Sequence, residues 1–185
     1  MSSCLKKSKF FLNFPRKSKV FDPDPRAPQI SNQIDAADNN HEEVDTLLIY
    51  HAVLASQRNP PDTQLISFTP DSDFLVLVTA NYDLMLKNTS ISMASGVVRI
   101  DLIWRAIGAE RANAFPAFHA FTGVDNSGRF SRIGKATWLQ VHRKADREVI
   151  SSLQMLSKDA EVTETMWANL ASFVYAACSP KASPN

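Results

Sequence analysis

The sequence predicts an α/β layer fold with extra helices towards its C-terminal end, on three observations. Apolar residues recur at helical spacing from Val44 onward, short apolar runs bounded by turn residues alternate with such stretches, and two amphipathic segments close the chain. At 185 residues, with 44% hydrophobic and 21% charged content, the chain can bury the core of one ordinary domain. It contains no internal repeat and no apolar run of about 18 residues or more, so no membrane span is expected.

Residues 1–40 read as tail and linker, with prolines at 15, 23, 25 and 28 and a polar stretch from Ser31 to Asn40. Residues 1–26 hold seven bases and two acids, net +5, so the remainder sums to −4 in a chain of net +1. A basic tail on an acidic body suits a nucleic-acid arm, a nuclear address or a solvated tail. The first twenty residues contain no acid, which leaves a mitochondrial presequence as an alternative. Cys4 and Cys178 are the only cysteines and form no disulfide framework or zinc spacing. An intracellular protein is expected, nuclear in preference to cytoplasmic. The domain is placed at 41–178, with 179–185 a short tail.

Val44, Leu47, Leu48, His51, Leu54 and Ala55 predict a first helix, ended by "NPPD" at 59–62. "TQLISF" (63–68) reads as a buried strand, whereas "FLVLVTANYDL" (74–84) fits helix or strand. "VVRIDLIWRAIG" (97–108) reads as a strand end leading into a helix that stops at Gly108. "ERANAFPAFHAFTG" (110–123) is a further helix, which Pro116 either kinks or starts. Val149, Ile150, Leu153 and Leu156 share one helical face. A second helix, capped by Thr163, stacks Met166, Leu170, Phe173, Val174 and Ala177.

Acidic residues cluster at three element boundaries: "NHEEVDT" (40–46), Asp71 and Asp73 in "TPDSD", and Asp125 in "TGVDNSG". In open α/β folds ligands bind where loops converge at the carboxyl ends of strands. Hard divalent cations take oxygen ligands, and a pair of such ions is the usual apparatus for phosphodiester hydrolysis. Each cluster also has a structural reading. Asn40 with Glu43 is close to a capping box, and "TPDSD" and "GVDNSG" are ordinary turn compositions. His51 and His119 read as packed, hydrogen-bonded side chains in preference to metal ligands, and Trp104, Trp138 and Trp167 as core or interface anchors.

"HEEVDTLLIYHA", "SFTPDSDFLVLV" and "FPAFHAFTGVDNSGRFSRIGKATW" together resemble a group of animal proteins with a PIN-like domain, often found near mobile elements. These belong to the flap endonuclease and 5′-3′ exonuclease branch, and the resemblance covers roughly residues 40–177. It implies a parallel sheet flanked by helices, with Mg²⁺ or Mn²⁺ held at one end. By that similarity Glu43 and Asp45 match the acidic pair on the helix, Asp71 and Asp73 the Asp-x-Asp after a strand, and Asp125 the acid of the "TG-x-D" turn. The "FSRIGK" segment matches the helix-hairpin element that grips a DNA backbone, with Arg132 in place of its first glycine. Arg129, Arg132 and Lys135 are therefore candidate phosphate contacts, against the alternative of a solvated basic turn.

The family's first strand and its metal-binding aspartate have no counterpart here. Asp22 in "KVFDPDP" follows two apolar residues and could imitate that position, but Pro23 and Pro25 just after it oppose a central strand. The sheet is thus expected to be incomplete at its N-terminal side. Two functions follow as expectations. One is a metal-dependent nuclease-like domain with Asp71 and Asp73 as catalytic carboxylates, acting on DNA in preference to RNA. The other is a non-catalytic remnant that binds nucleic acid or protein. An Asp-x-Asp phosphatase built on "VFDPDP" is disfavoured by the same prolines.

Overall fold

The computed structural model describes residues 10–14, 17–21, 44–69, 71–123, 128, 130–158 and 161–179. The chain divides into two units, Met1–Glu42 and Glu43–Asn185. In the first, β1 (Phe10–Phe14) and β2 (Lys17–Phe21) pair antiparallel, with Phe10 opposite Phe21. The sequence reading placed no element here. Two β-prone runs separated by two residues have hairpin spacing, which the basic composition of the segment obscured.

The second unit is α/β. Its first helix, α1 (Val44–Arg58), has Asp45 in the first turn and Arg58 in the last, each favourable to the helix dipole. It stops where Pro60 and Pro61 remove backbone donors, and Asn59 Nδ2 donates to the Ala55 carbonyl at 2.7 Å. Then come β3 (Gln64–Phe68), α2 (Ser72–Ala80), a single 3-10 turn (Tyr82–Leu84), β4 (Asn88–Met93) and β5 (Gly96–Arg99). The ambiguous run at 74–78 is therefore helical. Its tertiary role decides this, since Phe74 and Val78 turn to the core from one face of α2.

Strands β3, β4 and β5 form one three-stranded sheet in that order. β3 and β4 are parallel, with Ile66 beside Ser90, and β4 and β5 antiparallel, with Ile91 beside Val98. The sheet is thus mixed, not parallel as expected. Met93 pairs with Gly96, so only two residues connect β4 to β5, far too few for the crossover a parallel return needs. Gly96 has φ +125°, a backbone state that side chains oppose. β3 also corrects the expectation of a buried strand. It is one of the two edge strands of the sheet, with Ser67 buried but Gln64, Ile66 and Phe68 exposed.

Helix α3 (Ile100–Ile107) follows β5 directly and ends at Gly108, φ +81°. The predicted helix at 110–123 is two pieces, α4 (Ala109–Asn113) and α5 (Phe115–Phe121). Pro116 lies in the first turn of α5, where its missing N–H costs nothing. Three longer helices complete the unit: α6 (Lys135–Lys144), α7 (Arg147–Leu156) and α8 (Glu164–Cys178). The Thr163 side chain caps α8 by accepting from Met166 N at 3.2 Å, as expected. Two apolar clusters result. One gathers Phe118, Trp138, Leu153 and Phe173 from α5 to α8. The other gathers Ala52, Phe74, Val78, Ile91 and Ile100 around the sheet.

Candidate functional site

The carboxyl end of β3 feeds directly into the N-terminus of α2, and this junction carries Asp71 and Asp73. Asp71 is the N-cap of α2. Its Oδ1 accepts from the Asp73 amide at 2.9 Å, and its own amide donates to Thr69 Oγ1 at 3.1 Å. Asp73 sits in the first turn, where the helix dipole favours an anion. Its Oδ1 lies 2.9 Å from His119 Nε2 on α5. Asp71 is exposed, and the Asp73 side chain is 45% exposed.

His119, with its side chain only 20% exposed, is thus a packed and hydrogen-bonded residue, as its place on an apolar helix face leads one to expect. It links the acidic turn to the start of α6. Lys135 Nζ donates to Thr122 Oγ1 at 2.8 Å and to the His119 carbonyl at 3.1 Å, and lies 3.5 Å from His119 Nδ1. Lysine can only donate, so its contact makes Nδ1 the acceptor and puts the ring proton on Nε2, which donates to Asp73. Nothing in the sequence marks this link, because α2, α5 and α6 meet only in the folded chain.

The turn before α6 has a second notable feature. Arg132 has φ +67°, the one non-glycine residue with a left-handed backbone among the described residues. That is the conformation glycine adopts without cost. Gly134 is the N-cap of α6 with no side-chain cap, and the space where its Cβ would stand is open. A helix N-terminus of this kind favours an anion, although the Thr137 amide already donates to the Gly134 carbonyl at 3.0 Å.

Other sequence candidates are placed differently. Asp45 is half-buried in the first turn of α1, which packs against α2 and β3. It does not join Asp71 and Asp73 in a metal-binding group: among the described residues, no three His, Cys, Asp or Glu side chains do so. Glu43, Asp125 and Arg129 lie outside the described residues. The most buried acid among the described residues is one that the sequence does not single out. Asp101 takes two hydrogen bonds from Arg99, at 3.0 and 2.8 Å, and these hold its carboxyl below the usual carboxylate range. That fork anchors α3 to β5 and leaves the acid committed to structure.

The donor chemistry at the β3–α2 junction suits one hard divalent cation. Both Asp71 and Asp73 keep one carboxylate oxygen without a partner among the described residues, and Mg²⁺ commonly binds one or two carboxylates with water filling its shell. No helix of the described residues is long and apolar enough to cross a membrane. Compared with protein-family models, curated proteins and solved structures, the chain matches none.

Proposed function

We propose that the chain is a divalent-metal-dependent, nuclease-like domain that acts on phosphodiester bonds of nucleic acid, DNA in preference to RNA. The observation that carries this is the hydrogen-bonded chain from Asp73 through His119 to Lys135. It links a pair of acids to the basic turn before α6, the two features that a metal-dependent phosphodiesterase of this kind would use. Asp71 and Asp73 would hold Mg²⁺ or Mn²⁺, with Asp45, Glu43 and Asp125 as the further acids that the PIN-like resemblance implies. When bound, the ion would supply an activated water and neutralise charge on the phosphate. The chain's own groups orient the site. His119 fixes the Asp73 rotamer, and Lys135 fixes His119. Arg132 and Lys135 would contact the backbone of the substrate, with Arg129 a further phosphate contact that the resemblance implies. The left-handed Arg132 supports the helix-hairpin comparison, since the family's glycine stands at that position.

A second reading is a domain that binds nucleic acid without cleaving it. Its support is that Asp71 is engaged as a helix cap, Asp73 as a histidine partner, and no third ligand joins them among the described residues. Asp71→Asn separates the two, because asparagine caps a helix as well as aspartate does but lacks the charge. Calorimetric titration with Mn²⁺ and cleavage of a 5′-flapped DNA should both be seen in the natural chain and lost in Asp71→Asn at unchanged thermal stability. Mobility-shift binding with no Mn²⁺ heat and no cleavage would leave the non-catalytic reading. Arg132→Gly should lower the salt dependence of DNA binding by about one phosphate contact.

A further inference from the structure

Helix α8 buries Met166, Leu170, Phe173 and Ala177 and turns its opposite side outward. That outer side is unlike the outer sides of α6 and α7, which carry Lys135, Arg143, Lys144, Arg147 and Glu148. From Thr165 to Cys178 there is no charged residue at all, although more than half of these residues are exposed. Trp167 is 65% exposed and Tyr175 76% exposed. With Ala171 between them at four-residue spacing, they form one line along the helix.

We propose that this line is the contact surface for a second copy of the same chain, in a weak two-fold dimer through antiparallel α8 helices. Ala171 is equidistant from the two aromatics. A two-fold axis through it therefore sets Trp167 of each copy against Tyr175 of the other, with the small Ala171 side chains letting the helices approach. An isologous contact requires this kind of self-complementary patch. A like-charged patch would repel its own copy, and this one carries no charge. Aromatic side chains bury roughly 150–250 Å² each. The four exposed rings thus supply about 500–600 Å², and with the flanking Ala168 and Ser172 the area stays below the roughly 1,200 Å² of a standard stable interface. The dimer is accordingly concentration-dependent. It stands independently of the nuclease reading.

Sedimentation velocity on the full chain from 1 to 200 µM (on the order of a weak interface's range) should show the sedimentation coefficient rise with concentration. Trp167→Glu and Tyr175→Glu should each hold it at the monomer value, with unchanged circular dichroism and melting temperature because both side chains are exposed. In a Cys4→Ser, Cys178→Ser background, Ala171→Cys should cross-link to itself on oxidation. Trp167→Cys should cross-link to Tyr175→Cys in a mixture and not to itself. A monomer at every concentration overturns the proposal. So does association that survives both glutamate variants, or cross-linking of Trp167→Cys to itself, which would indicate a parallel or different partner surface.

Discussion

The two apolar clusters of the second unit are built on different terms. Around Trp138, four helices close on one another. Trp138 and Phe173 lie 5.2 Å apart between ring centroids, Phe118 and Phe173 6.3 Å, and Phe118 and His142 4.5 Å. Around Phe74, by contrast, helices cover β4 but leave β3 as a sheet edge, with Ile66 40% and Phe68 73% exposed. An amphipathic helix satisfies its own backbone and needs only one covered face. An edge strand also presents backbone groups with no strand beside them. The helical half therefore satisfies its backbone within its own elements, whereas β3 has no strand on its outer side among the described residues.

The comparison is broken most severely in the helical half. Trp138→Ala should cost about 3–5 kcal/mol in urea denaturation, because a side chain with no exposed surface leaves a cavity ringed by aromatic residues. Its Nε1 has no partner among the described residues, so Trp138→Phe should recover most of the loss. A loss below about 1 kcal/mol for Trp138→Ala would show that this cluster is looser than its packing indicates.

Next in size is the response to acid. His142 is fully buried between Phe115 and Phe118, with neither ring nitrogen partnered among the described residues. Burial, with the nearby Arg111 guanidinium, lowers its pKa from 6.5 to about 4. Between those values the unfolded chain binds a proton that the native chain refuses. Stability is therefore complete above pH 6.5 and falls as pH drops towards 4, by up to about 3 kcal/mol. His142→Leu should flatten that window in chemical denaturation series. An unchanged slope would place the acid sensitivity elsewhere.

What could be read from the sequence follows the same division. The helices α1, α7 and α8 are legible because their periodicity is local: Leu47, His51 and Ala55, then Val149, Ile150 and Leu153, then Met166, Leu170 and Phe173 turn inward as their spacing requires. The stop at Gly108 and the start at Pro116 are local too. β4, whose "NTSISM" is mostly polar, carries no strand signal in the sequence, yet it is the centre of the sheet with Thr89, Ser90 and Ile91 buried. Its position comes from neighbours on both sides, which no window of residues reports. The site divides likewise. Asp71 and Asp73 stand out as a pair beside a strand, while the bond from Asp73 to His119 depends on the packing of α2 against α5.

A smaller effect probes the junction itself. Asp71→Ala removes the cap of α2 and should cost about 1 kcal/mol, whereas Asp71→Asn should cost close to nothing. Equal losses for the two would mean that the charge of Asp71, and not its hydrogen bond to the Asp73 amide, stabilises the turn.

The smallest expected effect is the sharpest contrast, because it uses one residue type at two places six residues apart. Phe74 has no exposed surface and packs inside the sheet cluster, so Phe74→Ala should cost about 3–5 kcal/mol. Phe68 is 73% exposed at the end of the edge strand, and Phe68→Ser should change stability by less than about 0.5 kcal/mol. Its effect should appear instead in light scattering. An apolar, unpaired strand edge is a template for association, and a polar residue there should lower the aggregation of concentrated protein. A loss of stability in Phe68→Ser comparable to that of Phe74→Ala would mean that the edge is covered in solution, and the asymmetry between the two halves would disappear.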